Sequence, residues 1–120
     1  MPFERVYPEE SFINRVLNKT SSMGRKIIKA SVFCTQSVSC EYYHLDEIRK
    51  FGTDLIEMET AAFYTMADLI EVPSIALLVV SDNSASGKPL LGRDEEQEKK
   101  YYYSRKVVLP ELIFTICNME

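Results

Sequence analysis

Residues 54–82 read DLIEMETAAFYTMADLIEVPSIALLVVSD, and they decide the fold class because they spell strand, helix and strand with carboxylates at the strand ends. Thr53–Met58 follows the break at Gly52 with mostly β-compatible residues, and it delivers Glu57 and Glu59 where the next element begins. A helix is expected from about Glu59 to Ile70. Ala62, Met66, Leu69 and Ile70 recur there at the spacing of a buried stripe, while Thr65, Asp68 and Glu71 can face water. Pro73 ends it. The next run, SIALLVV, is continuously apolar and of strand length, the pattern of a strand covered on both faces in a parallel βαβ sheet. It stops at Ser81 and Asp82. Ligands of open α/β sheets sit beyond the carboxyl ends of parallel strands, so Asp82 stands where a site is expected.

Upstream, Tyr43–Phe51 is helical in pattern, with Leu45 and Ile48 on one side, Asp46, Glu47, Arg49 and Lys50 on the other, and Gly52 as its C-terminal cap. Residues 27–35 are expected to form a strand through Ile27, Ile28, Ala30, Val32 and Cys34. Further back, SFINRVL carries an apolar helical face of Phe12, Ile13, Val16 and Leu17, and Thr20–Gly24 reads as the following turn. Downstream of Asp82, NSASGKPLLG has no periodicity and reads as a loop at the carboxyl edge of the sheet. A last helix is expected from Arg93–Asp94. Its Glu95/Lys99 and Glu96/Lys100 pairs have the favourable i,i+4 order, and Val108, Leu112, Ile116 and Met119 form its buried stripe. Pro110 predicts a kink or break near Leu109.

The chain has 120 residues, enough for one domain at most, and its 46% hydrophobic content permits a core. Fourteen basic residues are interspersed with 18 acidic ones for a net charge of −4, which argues against a nucleic-acid partner. No apolar segment approaches the ~20 residues of a membrane span, and MPFERVYPEE lacks the apolar core of a signal peptide, so the expectation is a cytoplasmic protein with no membrane partner. Cys34, Cys40 and Cys117 make an odd count without a Cys-x-x-Cys pair. They are expected to be reduced and mostly buried thiols rather than a disulfide frame or a metal site.

Four features can carry chemistry. SASGKP has one glycine and no Ser or Thr after the lysine, so it is rejected as a phosphate loop. His44, the sole histidine, sits on a polar helix start and reads as a surface residue. Tyr101, Tyr102 and Tyr103 lie in a charged helix and read as partly packed into the core or against another subunit. The fourth feature is the set of acidic strand ends, Glu57, Glu59 and Asp82. As structural groups they would be carboxylates favoured by a helix macrodipole; as functional groups they would face a ligand.

LIEMETAAFY followed after a helix by VPSIALLVVSDN closely resembles the C-terminal half of the nucleoside phosphorylase and nucleosidase superfamily, with its Met-Glu pair opening a helix and Ser-Asp pair ending the next strand. The separation of 24 residues between Met58 and Asp82 is similar to that of the bacterial purine enzymes. LDEIRKFGTDLIEME resembles the helix, turn and strand that precede the signature. The likeness runs from about Ile27 to the C-terminus.

The resemblance implies a three-layer α/β/α sandwich of the phosphorylase/hydrolase-like type, an incomplete mixed sheet flanked by helices, with residues 1–120 as the C-terminal portion of one such domain. It implies that Glu59 accepts from the ribose hydroxyls, that Met58 packs on the sugar and that Ile56 walls the base. It also implies that Asp82, beside Ser81, gives or shares a proton at purine N7, which lowers the barrier to N-glycosidic cleavage. Asp82 further implies a purine substrate, since uridine-type relatives typically lack this acid. The base-stacking aromatic of such enzymes falls near Ser37 here, with Tyr42 and Tyr43 following, and Arg93 or Lys88 stands near their basic residue. Nothing in residues 1–26 resembles their glycine-rich loop or phosphate-gripping arginines. The expected activity is phosphorolysis of purine nucleosides with inorganic phosphate as co-substrate and no cofactor, by a homo-oligomer or with a complementing chain. The alternatives are a hydrolytic nucleosidase and a non-catalytic binding or scaffold subunit.

Overall fold

The computed structural model describes residues 4–81 and 94–119. They divide into two compact units, Met1–Arg15 with Ile27–Ala76 and Val16–Lys26 with Leu77–Glu120. The fold is of the expected α/β kind, helices with a small parallel sheet.

In the first unit, β1 (Val32–Cys34) and β2 (Leu55–Glu57) pair in parallel with Val32 opposite Leu55, Phe33 opposite Ile56 and Cys34 opposite Glu57. Both strands are shorter than the expected 27–35 and 53–58. The pairing starts where Asp54 accepts from the Ser31 amide at 2.8 Å and from its hydroxyl at 3.0 Å, which ties the two chain segments together just before the ladder. Among the described residues those just before that clamp join no ladder, and Ile28 is exposed. Between the strands runs α2 (Val38–Arg49), which begins five residues before the expected Tyr43 and is kinked at His44, whose φ of −118° is not helical. The amphipathic half is the part that the pattern reveals, with Ile48 buried. Gly52 follows at a φ of +69°, and its amide donates to the Arg49 carbonyl. That left-handed position suits glycine because it has no Cβ. On one sheet face Phe33 meets Phe51, ring centroids 5.4 Å apart.

Beyond β2 comes α3 (Thr60–Leu69), close to its expected bounds. Its inward face differs from expectation. Thr60 and Ala67 are the buried residues, whereas Met66, Leu69 and Ile70 are 59%, 71% and 65% exposed. The apolar stripe marks a surface suited to burial, and within this chain the contact is made by the smaller side chains instead. The helix ends in a Schellman arrangement: the Val72 amide donates to the Ala67 carbonyl and the Glu71 amide to the Asp68 carbonyl. Glu71 takes a φ of +56° there, a place where glycine is usual. Pro73 follows and bars any continuation.

The strand expected at Ser74–Ser81 does not form among the described residues: this run joins no ladder. Apolar patterning signals a segment fit for two-sided burial, but a strand also needs a neighbour for its amides. The Ala76 amide donates instead to Tyr64 Oη at 2.9 Å.

The helix α1 (Glu10–Ser21) runs past the expected turn at Thr20. Phe12, Ile13, Val16 and Leu17 do face inward, and Thr20 prolongs that face one turn, only 1% exposed, its hydroxyl satisfied by the Val16 carbonyl at 2.8 Å.

In the second unit, α4 (Glu95–Tyr103) starts with a reciprocal cap between Asp94 and Gln97. The expected Lys99–Glu95 and Lys100–Glu96 pairs are present at 3.1 and 3.4 Å. Pro110 does not break the rod. A π-helical turn, Ser104–Val108, precedes α5 (Leu109–Cys117), and the Leu109 amide donates to the Ser104 carbonyl. Proline lacks the N–H that an α register would require, and a wider turn ahead of it absorbs the mismatch. The extra residue also brings Tyr103 and Glu111 towards one face, where Arg25 reaches both, Tyr103 Oη at 2.9 Å and Glu111 Oε2 at 2.8 Å. Tyr102 and Tyr103 are half exposed, Leu112 is buried, and Val108, Ile116 and Met119 are half-buried. Among the described residues no helix is long and apolar enough to cross a membrane.

Candidate functional site

The carboxyl ends of β1 and β2 open on one edge of the sheet because the strands are parallel and in register. The Thr35 amide donates to the Glu57 carbonyl at 2.9 Å and closes the ladder. Met58 and Glu59 follow β2 at once, and α3 begins at the next residue. Met58 is 44% exposed. Glu59 is exposed, occupies the N-cap position without capping the helix through its side chain, and its carboxylate makes no hydrogen bond or ion pair among the described residues. An open carboxylate beside a thioether, at the start of a helix, can accept from two vicinal hydroxyls while the sulfur covers an apolar face.

Glu57 does something else. Its Oε2 accepts from the Glu59 amide at 2.6 Å and its Oε1 from the Thr60 amide at 2.8 Å, so this side chain caps α3 from two residues before the N-cap. Cys34 Sγ donates to Oε1 at 2.9 Å, and the same sulfur accepts from the Ala61 amide at 3.2 Å. Partial burial alone would raise the Glu57 carboxyl pKa. The hydrogen bonds from Cys34 and from the amides of Glu59 and Thr60 outweigh it and hold the group down at about 2. For Cys34, partial burial and the neighbouring Glu57 push the thiol up to about 11, so at neutral pH it is a protonated donor. Neither the thiol's role nor the capping role of Glu57 was assigned from sequence. The available signal was a glutamate three residues ahead of a helix start, in register with a cysteine on the preceding parallel strand.

Ile56 is half-buried on the sheet face opposite to Glu57, paired with Phe33. Ser37 lies just past the carboxyl end of β1, half-buried, and its carbonyl accepts from Thr35 Oγ1 and the Glu41 amide, both at 3.2 Å. The first unit therefore brings Met58, Glu59 and Ser37 to the carboxyl edge, with Ile56 on the sheet face inside β2. Ser81, half-buried, belongs to the second unit. Asp82, Lys88 and Arg93 lie outside the described residues.

Two other expectations meet the structure. His44 is a surface group, 3.5 Å from Glu47. Where mostly buried thiols were expected, Cys34 is half-buried and Cys117 is exposed, in the last turn of α5. An apolar hollow of about 360 Å³ opens at the other end of α3, against Phe12, Phe63, Met66, Ile70 and Val72. Its lining carries no titratable group.

A sequence profile described as the phosphorylase superfamily matches residues 2–106. Among curated proteins, the chain is 29% identical over 109 residues to a DeoD-type purine nucleoside phosphorylase of Caldanaerobacter subterraneus subsp. tengcongensis, covering 85% of this chain and 44% of that protein. It is 37% identical over 60 residues to DeoD-type purine nucleoside phosphorylases of a Thermoanaerobacter species and of Thermoanaerobacter pseudethanolicus, covering 50% of this chain and 25% of each. The chain spans less than half the length of these relatives. No solved structure matches it significantly. With the family profile covering most of its length and the Met58–Glu59 pair standing at an open strand end, the chain belongs to the phosphorylase superfamily.

Proposed function

We propose that this chain is the C-terminal portion of a purine nucleoside phosphorylase-like enzyme that cleaves the N-glycosidic bond with inorganic phosphate as acceptor. The observation that carries the reading is the Met58–Glu59 pair at the carboxyl end of β2, its carboxylate open while neighbouring Glu57 is committed to the helix. Glu59 accepts from the ribose hydroxyls, Met58 covers the sugar, Ile56 walls the base and Ser37 stands near it. Asp82, with Ser81, serves as the acid at purine N7, and Arg93 supplies the basic residue that follows this acid in such enzymes. An acid at N7 works because cleavage builds oxocarbenium character on the sugar and negative charge on the base. The complete domain is a three-layer α/β/α sandwich in the cytoplasm, without a cofactor. Exposed apolar side chains on α3 and at Leu78 and Val80 support a homo-oligomer or a complementing chain.

Incubation with inosine or adenosine, with and without phosphate, tests the reading. Phosphate-dependent base release by the chain within its complete assembly supports it, and release without phosphate makes it a nucleosidase. No release from that assembly leaves a non-catalytic subunit and refutes the enzyme. The 120-residue chain alone is expected to be weak or inactive, because residues 1–26 hold no phosphate-gripping pattern.

A further inference from the structure

We propose that Glu57 and Cys34 are positioning residues for Glu59: they take over the capping of α3, so that the Glu59 carboxylate stays turned to the ribose. This rests on Glu59 being the sugar contact.

A carboxylate at an N-cap position has a standing alternative to any ligand, because the first amides of its own helix lack partners. Glu59 occupies that position and yet makes no side-chain cap. The reason is on either side of it. Glu57 Oε2 holds the Glu59 amide and Oε1 holds the Thr60 amide. The next amide, that of Ala61, goes to Cys34 Sγ. The thiol proton in turn goes to Glu57 Oε1, so one side chain from β1 fixes the rotamer of the capping carboxylate and also satisfies the helix's first turn. Three consecutive amides are thereby engaged by residues other than Glu59. Removing Glu57 would free the Thr60 amide beside the Glu59 carboxylate, which would then fold back onto its own helix. Removing the thiol would free the third and unfix the cap.

The readout is discrimination between inosine and 2′-deoxyinosine, measured by calorimetric titration, since only the ribo sugar offers the diol. The wild-type chain should prefer inosine about tenfold, the loss of one hydrogen bond to a charged group. Glu57→Ala and Cys34→Ala should bring the ratio towards one, and Cys34→Ser, which keeps a donor and an acceptor, should hold it within about twofold of wild type. Thermal melts and the Glu59 and Thr60 amide resonances show that the variants fold and that the cap has changed. Where Glu57→Ala does not fold, Glu57→Gln, which keeps one acceptor oxygen, takes its place. A folded variant with displaced amides and an unchanged ratio overturns the positioning role alone. A wild-type chain that binds both sugars equally sinks the ribose contact itself, and the positioning role with it.

Discussion

Acid should unmake the cap on α3. The Glu57 carboxyl, ordinarily near 4.5, is held at about 2 in the folded chain: partial burial pushes it up, and hydrogen bonds from Cys34 Sγ and the amides of Glu59 and Thr60 push it further down. A folded-state pKa below the unfolded one means that the stabilisation is present above about 4.5 and is lost as pH falls towards about 2. A fully buried group with that separation would contribute about 3 kcal/mol. Glu57 is partly open to solvent, so screening reduces this to roughly 1–2 kcal/mol, the same size as the usual loss of an N-cap. For a chain of this length that corresponds to roughly 5–10 °C in Tm. Thermal melts of wild type and Glu57→Gln from pH 7 to pH 2.5 measure it. The glutamine keeps one acceptor oxygen but cannot titrate, so the variant starts less stable and the gap between the two curves narrows as pH falls below 4.5. All other carboxylates act equally in both proteins and cancel. Curves that stay parallel across that window would refute the capping role.

Three further outcomes are expected. Asp82→Asn in the complete enzyme should lower turnover with purine nucleosides by a factor on the order of 10²–10⁴, the contribution of a positioned general acid, and an unchanged rate would remove Asp82 from the chemistry. Iodoacetamide at pH 8, followed by peptide mass spectrometry, should alkylate exposed Cys117 well before Cys34, whose thiol is pushed up to about 11; equal rates would contradict the hydrogen-bonded thiol. Glu71→Gly should raise stability in urea titrations by about 0.5–1 kcal/mol, because the residue holds a left-handed φ of +56° at a Schellman cap. A loss of stability there would mean that the glutamate side chain contributes more than its backbone costs.

The sequence carried the strand-helix order of the first unit because Gly52 and Pro73 punctuate it and because Leu55–Glu57 and Thr60–Leu69 differ in period. It also carried the reciprocal charge pairs of α4, which need only i,i+4 spacing. Two things were out of reach. Patterning reports that Met66, Leu69, Ile70 and the run from Ile75 to Val80 are suited to burial, but not what covers them, and here several of them remain exposed. The position of the strand ladder was equally hidden, since it depends on the Asp54–Ser31 clamp between segments 23 residues apart. At the candidate site, Glu59 was singled out by its place after a strand and Met58 by the resemblance of the Met-Glu pair. Cys34 was not, because a thiol in an apolar run looks like packing until the parallel register sets it opposite Glu57.

The two glutamates of this strand-to-helix junction have one chemical nature and two environments, and spacing alone accounts for the difference. Glu57 is the last residue of β2, so its side chain leaves the sheet on the face where α3 starts and can reach forward to the amides of residues 59 and 60. Glu59 is one residue from the helix, too late to bond its own amide and with the following one already taken. An isolated glutamate at either position would have to choose between capping the helix and pointing away from it; with two of them, separated by a single methionine, Glu57 caps and Glu59 stays open. The charge ordering follows. Glu57 is ionised by the donors that converge on it, and its negative charge sits on the positive end of the helix. The macrodipole is therefore partly neutralised before Glu59 is reached, which leaves the second carboxylate less strongly drawn to its own helix.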